Sequence, residues 1–396
     1  MVLFHDTLQF MKSYFQLDSD IVHLNHAAVA PWPIATRDAV IAFANENTAI
    51  GSQHYALWME TEQQLKQKLV QLINAQSSDE IAILKNTSEG LSLIAQGLSF
   101  SAGDNIVVPA EEFPSNKVVW QALSSSTKAQ GVDVRLIPVQ DVADPELALI
   151  NAMDKNTRLV SCSSVQFARG LRLDLNRIGQ ACKQNDTLFC IDAIQSLGAI
   201  AFDAQACCAD FVVADGHKWM CGPEGAALFY CRKNVQPLLQ LRQYGWHMLK
   251  NAFDFSHKND EEGVNSIDDL VVDNAQRFES GSSNMMGIAA LNASLGMLLD
   301  IGIGNVQSMV IENSDYLLEK LHSIPEIKIL TPTESGRYAG IVTFQKRGID
   351  NEKLYQHLQD NNVICAFRGD GVRFSPHFHT GKNDIDKALK IVSEYV

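Results

Sequence analysis

The stretch Phe211-Val212-Val213-Ala214-Asp215-Gly216-His217-Lys218-Trp219 decides how this chain is interpreted. Its first four residues form a short apolar run that is typical of a buried strand, and Lys218 follows where that strand ends. A lysine is usually a solvated surface charge, but the glycine, histidine and tryptophan around Lys218 predict a partly desolvated position. Burial disfavours the ammonium ion and lowers its pKa from about 10.4. The neutral amine that results can condense with an aldehyde.

The bulk composition places the chain among globular proteins with more than one domain. It has 396 residues, of which 46% are hydrophobic and 20% are charged, and this length fits a large domain with a smaller one. The formal net charge of −14 argues against nucleic acid or an anionic membrane as the main partner. A bound phosphate is still compatible with this charge, because backbone amides and helix ends bind anions locally.

The chain shows no sign of a membrane span or of a secretory signal. No apolar run has the length that crosses a bilayer, and residues 1–16 lack a basic start and a small-residue cleavage site. Eight cysteines are scattered without a C-x-x-C pair, which is typical of reduced thiols. We therefore expect a cytoplasmic protein with neither disulfides nor a structural metal.

Apolar segments alternate with helical patterns from about residue 60 onwards. This alternation predicts an α/β fold with a mainly parallel sheet that helices cover on both faces. The predicted strands are residues 81–84, 105–109, 132–138, 159–163, 188–192 and 211–214. Residues 226–231, which follow the Lys218 segment closely, are expected to add an antiparallel strand.

The character of the chain changes after about residue 290. A long helical stretch is followed by short strands and further helices, which is the pattern of an α+β module. We therefore divide the chain into a large domain, residues 25–290, and a small C-terminal domain, residues 291–396. Residues 1–24 are expected to form an arm that packs on the small domain, and the acidic segment 249–273 a solvated or mobile insertion.

A candidate phosphate cradle stands at Asn86-Thr87-Ser88-Glu89-Gly90. It follows the strand at residues 81–84 and opens a helical run, so free amides at the helix start and two hydroxyls would suit a phosphate. An ordinary helix cap, with Thr87 or Ser88 as the N-cap, explains the same residues. The glycine-rich motifs that bind nucleotide phosphates are not supported by the sequence.

A carboxylate stands at the end of another predicted strand. Asp192 closes the run 188–192, and Gln195 comes three residues later. Ligands of α/β folds bind beyond the carboxyl ends of the strands, so Asp192 is a candidate ligand-binding residue. An aspartate that only caps the next helix is the alternative.

The cradle, the strand-end aspartate with its glutamine, and Gly216-His217-Lys218 together resemble the class V aminotransferase family of fold-type I pyridoxal-phosphate enzymes. That family includes cysteine desulfurases, kynureninase and the isopenicillin N epimerase-like proteins. The resemblance runs from Leu-Asn-His-Ala-Ala at residues 24–28 to Arg-Phe-Ser-Pro at residues 373–376. It implies a large domain with a mainly parallel, seven-stranded sheet and a smaller α+β C-terminal domain.

The resemblance implies roles for three residues that would hold the cofactor, pyridoxal 5'-phosphate. Lys218 would form a Schiff base with its aldehyde and would later shuttle the α-proton of the substrate. Asp192 would pair with the pyridine nitrogen and keep it protonated. Gln195 would hydrogen-bond the phenolic oxygen.

Further cofactor contacts are implied at the two ends of the predicted site. Thr87, Ser88 and His217 would hold the phosphate. Phe113 falls where the family stacks an aromatic or histidine ring on the cofactor, although a core phenylalanine fits the same pattern. Ser282 matches a hydroxyl that reaches the phosphate of the neighbouring subunit, so the resemblance implies a homodimer with shared active sites.

The resemblance also implies residues that bind a small amino-acid substrate. Arg373 matches the binder of the α-carboxylate, since a guanidinium grips a carboxylate with two hydrogen bonds. Arg368 is a second candidate, with a surface ion pair as its alternative. His26 and His54 lie in segments that border the substrate pocket in this family, and for each the alternative is a packed or exposed histidine.

The sequence departs from the family pattern at two points. Cysteine desulfurases carry a nucleophilic cysteine on a loop between the two arginines, whereas only residues 369–372 separate Arg368 from Arg373. Cys365 is close in sequence, but it lies in a predicted strand, where a small buried residue is expected. Asp215 replaces a serine before Gly-His-Lys, and it could hold the histidine, the lysine or the cofactor ring.

The sequence therefore predicts a pyridoxal-phosphate enzyme that acts on an amino acid, with transamination as the main expectation. Elimination of the cysteine or selenocysteine lyase kind, epimerisation and hydrolysis of the kynureninase kind are alternatives, because pocket shape decides the fate of the substrate. A non-catalytic protein that binds the cofactor is the remaining alternative.

Overall fold

A seven-stranded sheet forms the centre of the larger part of the molecule. The computed structural model describes residues 11–126, 131–253 and 266–396. The strands of the large sheet are β2 (Ile81–Leu84), β3 (Asn105–Pro109), β4 (Asp133–Ile137), β5 (Thr157–Ser163), β6 (Leu188–Asp192), β7 (Phe211–Asp215) and β8 (Ala227–Cys231). Their spatial order is β2-β8-β7-β6-β5-β3-β4. Only β8 runs antiparallel to its neighbours, so the predicted sheet and its antiparallel addition are confirmed.

Helices lie between most of these strands and continue into the C-terminal part of the chain. Their bounds are α1 (Ile34–Ile50), α2 (Tyr55–Ile73), α3 (Thr87–Gly97), α4 (Ser115–Ser124), α5 (Pro145–Ala152), α6 (Leu175–Gln184), α7 (Met285–Ile301), α8 (Ile303–His322), α9 (Asn351–Asp360) and α10 (Lys382–Glu394). Because the sheet is mainly parallel, most of its crossovers place a helix on one of its faces.

The central strands are buried on both faces. Successive side chains of a strand point to opposite faces, and those of β6 and β7 enter two different hydrophobic clusters. Phe189 and Val212 belong to one cluster, whereas Cys190 and Val213 belong to the other. The apolar runs before Asp192 and Asp215 are therefore continuous rather than alternating, which is why the sequence already predicts buried parallel strands.

A second, antiparallel sheet belongs to the C-terminal part of the chain. Its strands are β9 (Ile327–Ile329), β10 (Val342–Lys346), β12 (Ala366–Arg368) and β13 (Gly371–Phe374), in the order β12-β13-β10-β9. A separate parallel pair joins β1 (Val22–His23) to β11 (Val363–Ile364). Val22 and Leu24 share a hydrophobic cluster with these strands, so residues 22–24 pack on the C-terminal part. Two segments of interest, residues 1–10 of the predicted arm and 254–265 of the predicted insertion, lie outside the described residues.

The cysteines and the longest helices bear on the expectations for disulfides and for membrane spans. All eight cysteines are free. Within the described ranges, no single helix has both the length and the apolarity needed to cross a bilayer. Only α7 and α8 taken together have that length and apolarity, and the two helices are bent by 83° at their junction.

Two glycines allow the segments around Lys218 to approach one another closely. A Cβ atom on Gly90, in α3, would lie 2.7 Å from the side chain of Val213. Gly198 has a φ of +94°, and a Cβ there would lie 2.3 Å from the carbonyl oxygen of Trp219. Glycine at these positions lets the start of α3 and the turn after β6 pack against the segment that carries Lys218.

Four histidines cluster behind Trp219, where the C-terminal part meets the large sheet. The ring of His26 lies 4.6 Å from that of His23, 5.1 Å from that of His377 and 4.9 Å from that of His379, measured between centroids. His379 also stacks on Phe15 at 3.7 Å. Burial lowers the pKa of His23 and of His377 to about 4, and it lowers the pKa of His26 and His379 well below the usual value.

These histidines predict an acid-sensitive fold. In the unfolded chain an imidazole titrates near pH 6.5, whereas the folded state keeps the four rings neutral, so the unfolded state binds more protons below that pH. The free energy of unfolding should therefore fall between about pH 6.5 and 4. The loss amounts to about 1.4 kcal/mol per pH unit for each histidine that stays neutral.

Replacing one ring measures this contribution. His379→Phe keeps the stacking on Phe15 and removes one titrating site, so between pH 7 and 5 it should lose about 2 kcal/mol less stability than the wild type. Urea unfolding at the two pH values is the measurement, and the exposed His357→Phe is the control. Equal pH dependence in all three proteins would contradict the assignment.

Candidate active site

A cavity of about 320 Å³ opens at the carboxyl ends of β6 and β7. Larger clefts of about 1060 and 810 Å³ lie elsewhere, and neither is lined by Lys218 or Asp192. The cavity collects all of the predicted site residues except His26, His54 and Ser282. Its lining residues are Ala27, Ala28, Asn86, Thr87, Ser88, Phe113, Ser115, Phe167, Asp192, Ile194, Gln195, Asp215, His217, Lys218, Arg368 and Arg373.

Lys218 lies in the turn that follows β7, as the sequence predicts. The turn is closed by two backbone hydrogen bonds, from the amide of Cys221 to the carbonyl of Lys218 and from Gly222 to Gly216, both 2.9 Å. Burial lowers the pKa of Lys218 to about 8, against the opposing effect of the Asp192 carboxylate. With this pKa roughly a tenth of the amine is neutral at pH 7, and both condensation and proton abstraction require this neutral form.

Asp192 ends β6 inside the protein, with only 2% of its surface exposed. Its Oδ1 accepts a hydrogen bond of 3.0 Å from the amide of Ile194. Burial raises the pKa of Asp192 to about 6, while Lys218 and the amide of Ile194 oppose the rise. A cationic partner stabilises the ionised form of a buried carboxylate, and a protonated ring nitrogen is such a partner.

Gln195 is held by two contacts that fix its amide. Its Nε2 donates to the carbonyl of Ala27 at 3.0 Å, and its Oε1 accepts from Nε1 of Trp219 at 2.9 Å. The second hydrogen on Nε2 remains available to a ligand in the cavity. Gln195 thus ties the residue beside Lys218 to the 27–28 segment of the cavity wall.

The predicted phosphate cradle lies at the start of α3. The N-cap is Asn86, whose side chain accepts from the amide of Glu89 at 2.9 Å, so the alternative in which Thr87 or Ser88 caps the helix is wrong. Thr87 Oγ1 instead accepts from the amide of Asp215 at 3.1 Å. The amides of residues 87 and 88 have no acceptor within the helix, because they lie in its first turn.

Asp215 pairs with His217 across the turn. Its Oδ1 lies 3.1 Å from His217 Nδ1. Of the three partners that the sequence left open for Asp215, the structure brings the histidine into contact. His217 lines the same cavity as Thr87 and Ser88.

Two phenylalanines line the cavity that holds the amine. The ring of Phe113 is 40% exposed, and its centroid lies 5.6 Å from Lys218 Nζ. Phe113 is therefore not a core residue. It meets Phe167 edge to face at 5.2 Å, a residue that the sequence did not single out.

Arg373 is a buried guanidinium without a carboxylate partner in the described structure. It is 2% exposed, and its Nη1 donates to the carbonyl of Phe167 at 2.6 Å. Burial and the nearby Arg368 lower the pKa of Arg373 to about 9. An anionic ligand would relieve both effects, as expected for a group that binds a carboxylate. Arg368 also lines the cavity, is exposed, and forms none of the ion pairs found within the described ranges.

Three predicted residues lie away from the cavity lining. His26 is buried in the histidine cluster, where its Nδ1 bonds to the carbonyl of Ser375 at 2.8 Å. His54 precedes α2 on the surface, with its Nδ1 3.8 Å from Glu46 Oε1. Ser282 is exposed before α7. Sequence spacing alone could not separate these residues from the lining ones.

One group of potential metal ligands lies apart from the cavity, among the residues that the structure describes. Glu62, His247 and Glu279 bring their ligand atoms within 4.8 Å of one another. The ammonium of Lys66 lies between the two carboxylates, at 3.0 Å from Glu62 and 2.9 Å from Glu279. Lysine therefore supplies the cation of this cluster.

The sequence profile of the class V aminotransferases matches residues 22–383. The chain belongs to this family. The family is pyridoxal-phosphate-dependent, and the match spans both the large sheet and the C-terminal part. A probable cysteine desulfurase of Methanothermobacter thermautotrophicus (strain Delta H) is 31% identical over 356 residues, which are 88% of this chain and 84% of the relative.

Two solved structures share the fold over almost their whole length. One is the apo form of a cysteine desulfurase from Thermococcus onnurineus NA1, with a TM-score of 0.85, 22% identity and coverage of 98% of this chain and 97% of that one. The other is a complex between the cystine C-S lyase C-DES and its reaction product cysteine persulfide, with a TM-score of 0.84, 22% identity and coverage of 95% and 98%. These likenesses confirm the fold-type I architecture.

The residues of the cavity fit pyridoxal phosphate. Donors for a phosphate stand at one end, where first-turn amides of α3 meet Thr87, Ser88 and His217. A buried carboxylate, Asp192, and a partly neutral amine, Lys218, lie in the same cavity. The chemistry of this donor set matches an anionic, aldehyde-bearing pyridine.

Proposed function

We propose that the chain is a pyridoxal-phosphate-dependent lyase. Its substrate would be an amino acid with a sulfur leaving group on the β carbon, such as cysteine or cystine. The observation that carries the proposal is a cavity that fits the cofactor and has no cysteine among its described lining residues. The relatives named cysteine desulfurase and the neighbour named cystine C-S lyase support the choice of sulfur substrates.

No cysteine is among the described residues that line the cavity. Cysteine persulfide chemistry needs an exposed, activated thiolate. Cys365, the cysteine next to the arginine hairpin, is 1% exposed, and burial raises its pKa to about 12. Only Gly369 and Asp370 connect β12 to β13, so this hairpin leaves no room for a cysteine-bearing loop. The sulfur must then leave in the small-molecule product.

Each residue of the cavity would have a separate role in the elimination. Arg373 would bind the α-carboxylate and so orient the α carbon towards Lys218. Lys218 Nζ would remove the α-proton and would return a proton to the departing sulfur. Asp192 would hold the pyridine nitrogen protonated, and Phe113 would cover the ring. When bound, pyridoxal phosphate supplies the electron sink that stabilises negative charge at the α carbon.

The balance of the reaction is simple for cystine. The α-proton leaves, the bond from Cβ to sulfur breaks, and one molecule of water completes the hydrolysis of the three-carbon fragment. The products are cysteine persulfide, pyruvate and ammonia. Transamination, the main expectation from the sequence, would instead give an oxo acid and the pyridoxamine form of the cofactor.

Spectra and products of the loaded protein test the proposal. The purified protein with pyridoxal phosphate should show a visible band that borohydride removes, with a covalent mass increase on Lys218 that Lys218→Ala lacks. Cystine should yield pyruvate and ammonia in equal amounts. Accumulation of the pyridoxamine form without pyruvate would favour transamination, and a wild-type protein that takes up no cofactor would contradict the proposal.

Removal of the nearby thiol separates this lyase from a persulfide-forming enzyme. Cys365→Ser should keep kcat/KM for cystine within about threefold of the wild type, because a buried, protonated thiol takes no part in the reaction. Cys208→Ser, at the half-exposed cysteine far along the chain, is the matched control. A loss of a hundredfold or more in Cys365→Ser alone would assign the sulfur transfer to Cys365.

We also propose that the enzyme is a homodimer in which Ser282 reaches the phosphate site of the partner. Ser282 is exposed and does not line the cavity of its own chain. Exposed apolar side chains are found just after the lining residues Ala27 and Ala28, on α1 and α2, and at the start of α7: Val29, Trp32, Ile41, Leu57 and Met286. Such a surface is typical of a protein interface.

Mass and cofactor affinity test the dimer together. Sedimentation equilibrium should give twice the chain mass of 43.7 kDa, and Ser282→Ala should weaken pyridoxal phosphate binding by about tenfold, since one hydrogen bond to a phosphate is lost. Ser283→Ala, at the neighbouring position, is the control. A monomer with unchanged affinity in Ser282→Ala would refute this assignment.

A further inference from the structure

A second buried carboxyl stands beside the site without lining the cavity. Glu112 lies between β3 and α4, directly before Phe113, and is 4% exposed. Its position behind the wall means that it touches neither substrate nor cofactor. Glu112 has no role in the proposed mechanism. Burying a carboxyl group nevertheless costs free energy unless hydrogen bonds or an ion pair compensate for the lost hydration.

Glu112 is anchored at the end of β5. One carboxyl oxygen accepts from the amide of Ser163, and the other bonds to the hydroxyl of the same residue. Ser163 is the register partner of Asp192 on the adjacent strand. The anchor therefore sets Glu112 alongside Asp192 at the carboxyl edge of the sheet, and it fixes the chain just before the Phe113 ring.

No cation pairs with Glu112 in the part of the chain that the structure describes. The titratable groups that face it are Asp192 and Cys190 from β6 and Cys162 from β5, while α4 contributes the amide of Asn116. Burial raises the pKa of both thiols, so they stay neutral. Burial, with a further contribution from the Asp192 charge, raises the pKa of Glu112 to about 7.

Two neighbouring carboxyls in this setting oppose each other's ionisation. Like charges at close range disfavour each other's ionised form, and the pair then titrates as a unit. Lys218 stabilises the charge on Asp192, and a protonated ring nitrogen would stabilise it further. Below about pH 7 the charge of the pair therefore resides on Asp192, and Glu112 keeps the proton.

We propose that Glu112 is a positioning residue that acts through Asp192: it carries the proton of a two-carboxyl pair and thereby controls how much negative charge faces the cofactor's ring nitrogen. The inference rests on the proposed function, in that it requires Asp192 to hold that nitrogen. When Glu112 loses its proton at higher pH, a second negative charge appears behind Asp192 and strengthens the hold on a protonated ring.

The test is the pH dependence of pyridoxal phosphate binding in Glu112→Gln. Glutamine reproduces the protonated acid, because its oxygen accepts from the Ser163 amide and its NH₂ group donates to the hydroxyl, but it cannot ionise. The ratio of the variant's Kd to the wild-type Kd should rise by at least about threefold between pH 6 and 9. Glu111→Gln, whose carboxyl accepts from the amide of Val139, should give a ratio that does not change with pH.

A flat ratio for Glu112→Gln across this range would overturn the inference and leave Glu112 as a structural anchor only. Ser163→Ala provides a second measurement should Glu112→Gln not fold. It leaves the carboxyl in place and removes a hydroxyl that stabilises its ionised form. The midpoint of the pH dependence of Kd should therefore move up by at least about half a pH unit. An unmoved midpoint in Ser163→Ala would likewise overturn the inference.

The same preparations separate this inference from the proposed function. Borohydride reduction of the wild type should trap the cofactor on Lys218. If the wild type traps no cofactor, the proposed function fails. If it does, and the wild-type and Glu112→Gln profiles run parallel, only the role of Glu112 fails.

Discussion

The burial of an amine and a carboxylate at the edge of one sheet is the constraint on which the site depends. Lys218 and Asp192 stand at the ends of β7 and β6, which pair directly in the sheet. Burial pushes their pKa values towards each other, to about 8 and about 6. Neither pKa shift would persist on a mobile loop, because the loop would move and water would hydrate the charged group. Two strands buried on both faces hold the groups in place.

The surrounding contacts hold the segments that carry Lys218 and Asp192 in place. Gln195 links the turn after β6 to Trp219, the residue beside the amine, and Thr87 holds the last amide of β7. The approach of these segments is close enough that a Cβ on Gly90 or Gly198 would collide with its neighbours. Packing of this kind restricts the amine to one position, which is what proton transfer to and from a substrate carbon demands.

The remaining charges near the cavity are arranged so that few of them compete with a ligand. Arg373 is held by a backbone carbonyl rather than by a carboxylate, so its charge is left for an anion. Glu112 is held by hydrogen bonds to Ser163, and the histidines behind Trp219 are kept neutral by burial. The thiol of Cys365 is neutral for the same reason. The ionised groups inside the cavity are thus mainly those that a cofactor and an amino acid would engage.

The family resemblance alone assigned Arg373 to the site, whereas sequence patterns predicted the parallel sheet, its antiparallel strand and the strand-end positions of Lys218 and Asp192. These features depend on local order: continuous apolar runs form buried strands, and the residue after each run lies at the sheet edge. The same reasoning left the helix cap open, because Asn86, Thr87 and Ser88 all suit an N-cap.

Other features depended on contacts between distant parts of the chain. Glu112 reaches Ser163 across 51 residues, Phe167 meets Phe113 across the cavity, and His26 joins His377 and His379 from the far end of the chain. No local spacing records such contacts. The sequence by itself thus determined which strands form and where their polar ends lie. Only the tertiary structure decided which buried groups become neighbours, because burial and charge act through space rather than along the chain.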